Sequence, residues 1–134
     1  MGAVVVDTHA AIWYLFQSKH LSSDAMDAMD EATESGDPVY LASISYVEVI
    51  YLVEKGKLPN VALERLNESL DDLDAGLVLV PLDQGVAQAV GRIPRDTVPD
   101  MHDRIITATA SYLRLPLITR DSKIRAVKGI KTIW

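Results

Sequence analysis

Asp7 follows the run Val4-Val5-Val6, Glu48 lies inside SISYVEVIYL, Asp103 heads DRIITATASYL and Asp121 closes LPLITRD. Each carboxylate sits where an apolar segment stops, and an isolated ionised carboxylate is costly to bury unless a cation compensates it. If the fold brings the four together, the compensating charge is most simply a divalent ion. Oxygen-only ligands favour Mg2+ or Mn2+ over zinc or copper. Such an ion orients and acidifies a water and stabilises charge on a leaving oxygen, which points to hydrolysis of a phosphodiester. Without the ion the carboxylates would repel one another, and some should hold protons above their ordinary pKa.

Each acid also has a plainer reading. Asp7 could cap a helix starting at Thr8, and Glu48 could be an exposed helical acid. Asp103 could be a first-turn helix acid or a partner for Arg104, and Asp121 could cap the turn before Ser122. Four such coincidences at successive element ends are harder to accept than any one. His9, His20 and His102 stand apart and lack the spacing of a zinc pair, so surface or packing roles are expected of them. Trp13, Tyr14, Phe16, Tyr46 and Tyr51 fall at helical spacing and read as core or dimer contacts, and Trp134 reads as a packed terminus.

The elements that must position the acids alternate. Ala3 to Val6 is a β-branched run suited to a strand buried on both faces. Helices are expected over Thr8 to Phe16 and Ser22 to Glu34, the latter capped by Ser22 or Ser23 and stopped near Gly36. Pro38 to Leu41 is a second strand, followed by a helix over Ser43 to Lys55 that Gly56 ends. Asn60 to Leu73 reads as an amphipathic surface helix, Leu77 to Val80 as a third strand, and Asp83 as the cap of a short helix to Val90. Gly91 to Pro99 is a breaker-rich loop leading into Asp100. A helix over His102 to Leu113 and strands over Leu117 to Thr119 and Ile130 to Ile133 complete the pattern. Strands separated by helices imply an α/β domain with a central, mostly parallel sheet of about four or five strands flanked by helices. In such sheets sites lie beyond the carboxyl ends of the strands, where Asp7 and Asp121 would emerge.

The 134 residues, 49% hydrophobic and 24% charged, suit one domain spanning residues 1–134. Cysteine is absent, which excludes disulfides, thiolate zinc sites and a cysteine nucleophile. The nonpolar stretch Ala10 to Phe16 is far short of the roughly 20 residues that span a bilayer, and no basic export region precedes it, so a cytoplasmic protein without membrane contact is expected. Net charge is −6, yet up to Asp103 there are 6 Lys and Arg against 18 Asp and Glu, and from Arg104 onward 7 against 1. Arg104, Arg120, Lys123 and Arg125, with Arg114, Lys128 and Lys131, could line a path for a phosphate backbone. On charge pattern alone a solvated basic tail is the simpler reading.

The segments VVDTHAAIWYL, SISYVEVIYL and DMHDRIITATASYLRLPLITRD, with the terminal KTIW, resemble the PIN-domain ribonucleases, most closely the VapC-type toxins of toxin-antitoxin pairs. The resemblance runs nearly end to end and is weakest over Asn60 to Arg95. It implies a metal-dependent endoribonuclease in which Asp7, Glu48, Asp103 and Asp121 bind Mg2+ or Mn2+ and cleave RNA. Asp100 matches the first acid of the family's Asp-Pro-x-Asp-Arg segment and is a further candidate ligand, with Met101 in place of the usual proline. Thr8, Ser45 and Thr119 are expected as supporting hydroxyls, and Arg104, Arg120, Lys123 and Arg125 as RNA contacts. A homodimer and a cognate antitoxin protein are also implied. Two other classes compete: a catalytically silent PIN-like module that binds RNA or a partner, and a metal-dependent phosphohydrolase acting on a small molecule. Intact acids weigh against the first, and Thr8-His9 after Asp7, where a D-x-D pattern would need a second Asp, against the second.

Overall fold

The computed structural model describes residues 2–74 and 76–134. Three β-branched residues leave little choice at the start: Val4, Val5 and Val6 form strand β1 (Val4–Val6), with no exposed surface on any of them. Around it lie β2 (Val39–Ala42), β3 (Leu77–Val80), β4 (Leu117–Ile118) and β5 (Thr132–Ile133). All neighbours pair in parallel, in the order β3-β2-β1-β4-β5. The expected α/β architecture is therefore borne out, with five strands.

The helices are α1 (Thr8–Leu15), α2 (Ser23–Glu34), α3 (Ser43–Glu54), α4 (Asn60–Asp71), α5 (Gln84–Val90), α6 (Met101–Leu113) and α7 (Ser122–Arg125). Alternation along β1 divides the core. Val4 and Val6 pack with Ile12, Met29, Val49 and Leu66 from α1 to α4, whereas Val5 packs with Ala89, Ile106 and Ile124 from α5 to α7. Burying each large aliphatic side chain contributes about 1.5–3 kcal/mol, so both layers are needed to hold so short a set of strands.

From β1 the chain builds outward through β2 to β3, then returns to the other side of β1 to form β4 and β5. Such a reversal opens a crevice at the strand ends. Val6 stands opposite Ile118, and the Asp7 amide donates to the Ile118 carbonyl at 3.0 Å. The residues after β1 and β4 therefore emerge side by side.

Helix α6 is brought close to α5 at Gly85, where an added Cβ would lie 2.4 Å from the Tyr112 ring. Arg104 ties the same pair: its guanidinium donates to the carbonyls of Val90 at 3.0 Å and Ile93 at 2.9 Å. Differences from the expected elements are local. Ser22, not Ser23, caps α2, and Thr119 lies just past β4. Helix α7, of 4 residues, is too short to leave a periodic trace in sequence. No helix among the described residues is long and apolar enough to cross a membrane.

Candidate active site

Asp7 ends β1 and caps α1, its Oδ1 accepting from the Ala10 amide at 2.9 Å. Asp121 follows β4 and caps α7, accepting from the amides of Lys123 at 2.8 Å and Ile124 at 3.2 Å. Capping uses one oxygen of each carboxylate, so the plain reading of these acids and the chemical one coexist. Glu48 reaches in from α3, and Asp103 from the first turn of α6. All four line one cleft of about 220 Å³, together with Thr8, His9, Trp13, Ile106 and Arg120.

Buried hydroxyls fix the acids. Thr8 Oγ1 lies 2.6 Å from Glu48 Oε1 and 2.8 Å from Ser45 Oγ, and both Thr8 and Ser45 are buried. A hydroxyl has one proton, so Thr8 serves Glu48 and the Ser45 proton completes the chain. Thr119, fully buried, receives the Asp121 amide at 3.1 Å on its Oγ1 and faces the Asp7 carboxyl.

The carboxyls sense one another. Burial raises the pKa of Asp7 above its ordinary value; Thr119, the Ala10 amide and His9 pull it back, and Glu48 raises it further. Asp103 is pushed up to about 6, first by burial and then by the charges of Asp100, Asp121, Glu48 and Asp7. Negative charge is thus concentrated at one rim, and no Lys or Arg among the described residues forms an ion pair with it, although Arg120 lines the same cleft.

Among the described residues no three His, Asp or Glu side chains stand close enough to grip an ion as they are. The donor set nonetheless fits Mg2+ or Mn2+, being all oxygen. Magnesium in particular retains several waters and takes one or two protein carboxylates directly. Asp100 is outside the cleft: it is exposed, caps α6 by accepting from the Asp103 amide at 3.1 Å, and lies 3.6 Å from His102.

A PIN-domain family model matches residues 4–130. The chain belongs to the PIN-domain family. Over 136 aligned residues it is 29% identical to Ribonuclease VapC22 of Mycobacterium tuberculosis, covering all of both chains. A toxin-antitoxin complex from Klebsiella pneumoniae contains a chain 26% identical, with a TM-score of 0.60, over 92% of this chain and 90% of that one. VapBC2 from Rickettsia felis, solved on a DNA fragment of its promoter, shares the fold at a TM-score of 0.73 and 15% identity, over 97% and 96% of the two chains.

Within this PIN domain the structure rearranges several sequence expectations. Arg104, expected on RNA, donates from Nη2 to the carbonyls of Val90, the last residue of α5, and Ile93. Lys123 and Arg125 are exposed on α7. Trp13 and His9, read as packing or surface residues, both line the acid cleft. The core role that helical spacing gave Trp13 holds as well, since it packs against the layer formed by α1 to α4. Met101 opens α6 with 63% of its surface exposed, and the Asp100 cap defines the helix start there.

Proposed function

We propose that this chain is a Mg2+- or Mn2+-dependent endoribonuclease and the toxin of a toxin-antitoxin pair, acting in the cytoplasm. The observation that carries the reading is the convergence of Asp7, Glu48, Asp103 and Asp121 on one cleft at the crevice between β1 and β4. Full-length similarity to a named ribonuclease supports RNA as the substrate. Similarity to a chain of a toxin-antitoxin complex supports an antitoxin protein as the partner.

In this reading the four acids hold the ion. When bound, it supplies Lewis acidity toward a phosphodiester and lowers the pKa of the attacking water. The protein's own residues do the positioning. Thr8 anchors Glu48, and the amides of Ala10, Lys123 and Ile124 hold Asp7 and Asp121 by one oxygen each at the cleft. Ile106, only 1% exposed, closes the floor with an apolar surface. Water is the nucleophile in this reading, and hydrolysis proceeds by direct displacement at phosphorus without a covalent intermediate.

Partners have a face to use. Val47 and Tyr51, one turn apart on α3, are 42% and 57% exposed, and Val61 on α4 is 37% exposed. This supports a protein contact there, and the homodimer belongs to the same proposal. Light scattering on the purified chain, alone and with its antitoxin, reads both states.

The direct test is to incubate the protein with total RNA, with and without chelator, alongside Asp7→Asn. Asn keeps the helix cap and removes the charge. Cleavage should vanish with chelator and fall at least about a hundredfold in the variant. Equal cleavage by both proteins defeats the mechanism.

A further inference from the structure

Arg120 immediately precedes Asp121 and lines the same cleft as all four acids, yet it makes no ion pair with any of them. A free guanidinium beside so much negative charge would ordinarily swing onto a carboxylate. Here its Cζ lies over the Trp13 ring, 4.6 Å from the centroid. Trp13 in turn is wedged by other rings: His9 at 5.7 Å, His20 at 5.4 Å and Trp134 at 5.9 Å. Trp134 follows β5, which pairs with β4, the strand that delivers Arg120. The indole is therefore held from α1 and from the C-terminal strand, and the place it offers a cation is set in advance.

We propose that Trp13 is a positioning residue that parks the Arg120 guanidinium at the mouth of the acid cleft as a receptor for an RNA backbone phosphate, and keeps it off the carboxylates. A cation over a ring face satisfies charge without using N–H donors. The five donors of Arg120 stay available for phosphate oxygens, which its planar fork matches in pairs. Parking also leaves the acid oxygens free for a metal ion. Removing the ring releases Arg120 to pair with the acids, so the same change should weaken both phosphate and ion binding. The inference rests on the ribonuclease reading and assigns a part of that site which the acids cannot supply.

The experiment uses the full chain and two readouts independent of turnover. Binding of a short, labelled, mixed-sequence RNA is followed by anisotropy with chelator present, and Mn2+ binding by electron paramagnetic resonance. Arg120→Ala should weaken RNA about tenfold and leave Mn2+ binding unchanged or tighter. Trp13→Leu should weaken RNA similarly and Mn2+ by about threefold to tenfold, whereas Trp13→Phe, which keeps a ring, stays near wild type in both. In the double variant Trp13→Leu with Arg120→Ala, Mn2+ binding should return to the Arg120→Ala level. The proposal is overturned if Arg120→Ala binds RNA like wild type, or if Trp13→Leu weakens Mn2+ equally with and without Arg120. Should Trp13→Leu not fold, Arg120→Ala and Trp13→Phe decide. A wild-type protein that binds Mn2+ but cuts no RNA under any metal sinks the ribonuclease reading instead, so the two failures are distinguishable.

Discussion

The Thr8 hydroxyl, one residue past the first acid and only 3% exposed, has a carboxylate 2.6 Å away. A hydrogen bond to a charged group contributes about 1.5–3 kcal/mol, and leaving the partly buried Glu48 without it forfeits much of that and frees the side chain. Thr8→Val should lower stability by about 1–3 kcal/mol and RNA cleavage by about 10- to 100-fold, with Thr8→Ser restoring most of both. Urea unfolding and cleavage rates check the pair; loss in the Ser variant with wild-type behaviour in the Val variant would show that the methyl, not the hydroxyl, matters. At this scale the sequence was informative for the acids, since each ends an apolar run whose burial dictates where it emerges. It did not report that Trp13 and Arg120 meet, which depends on β4 lying beside β1, a long-range pairing that local spacing does not encode.

The element that most depends on a single side chain is α6. It carries Asp103, and Arg104 fastens its first turn to the carbonyls of Val90 and Ile93, at and just past the end of α5, where helix carbonyls lack internal partners. Arg104→Ala should lower stability by about 2–3 kcal/mol, read by urea unfolding, while the RNA affinity of the folded fraction stays unchanged. Selective loss of RNA binding at full stability would return Arg104 to the substrate side. All five strands and the six longer helices were legible, because β-branched runs, amphipathic spacing and capping residues mark them. Helix α7 was not, since one turn gives no period, although the Asp121 cap at its head was readable as a turn signal. The structural role of Arg104 was hidden for a related reason: its acceptors lie 14 and 11 residues upstream, brought near by the packing of α5 on α6.

For the whole molecule, the gathered acids make stability depend on pH in a direction opposite to that of ordinary surface carboxylates. Asp7 and Asp103 both have pKa values raised by folding, Asp103 from 3.8 to about 6. The folded state therefore binds protons more tightly than the unfolded one, and their favourable contribution is complete below the unfolded value and lost as pH rises through the folded value. In chelator, thermal unfolding should show these groups favouring about pH 5 over about pH 7.5, and Asp103→Asn should reduce that difference. A divalent ion bound only by the folded state reverses the trend at the higher pH, adding about 2.7 kcal/mol at a hundredfold excess over its Kd. Destabilisation on acidification from neutral pH to 5 in chelator, unaltered by Asp103→Asn, would contradict the shared environment of these carboxyls.

The central claim is that acids from four separate elements serve one cation, and Mn2+ titration followed by electron paramagnetic resonance tests it most directly. Asp7→Asn, Glu48→Gln, Asp103→Asn and Asp121→Asn should each weaken the same site, and combining any two should cost less than the sum of the separate losses. Wild-type Mn2+ affinity in all four variants, or separate sites lost one at a time, would contradict it.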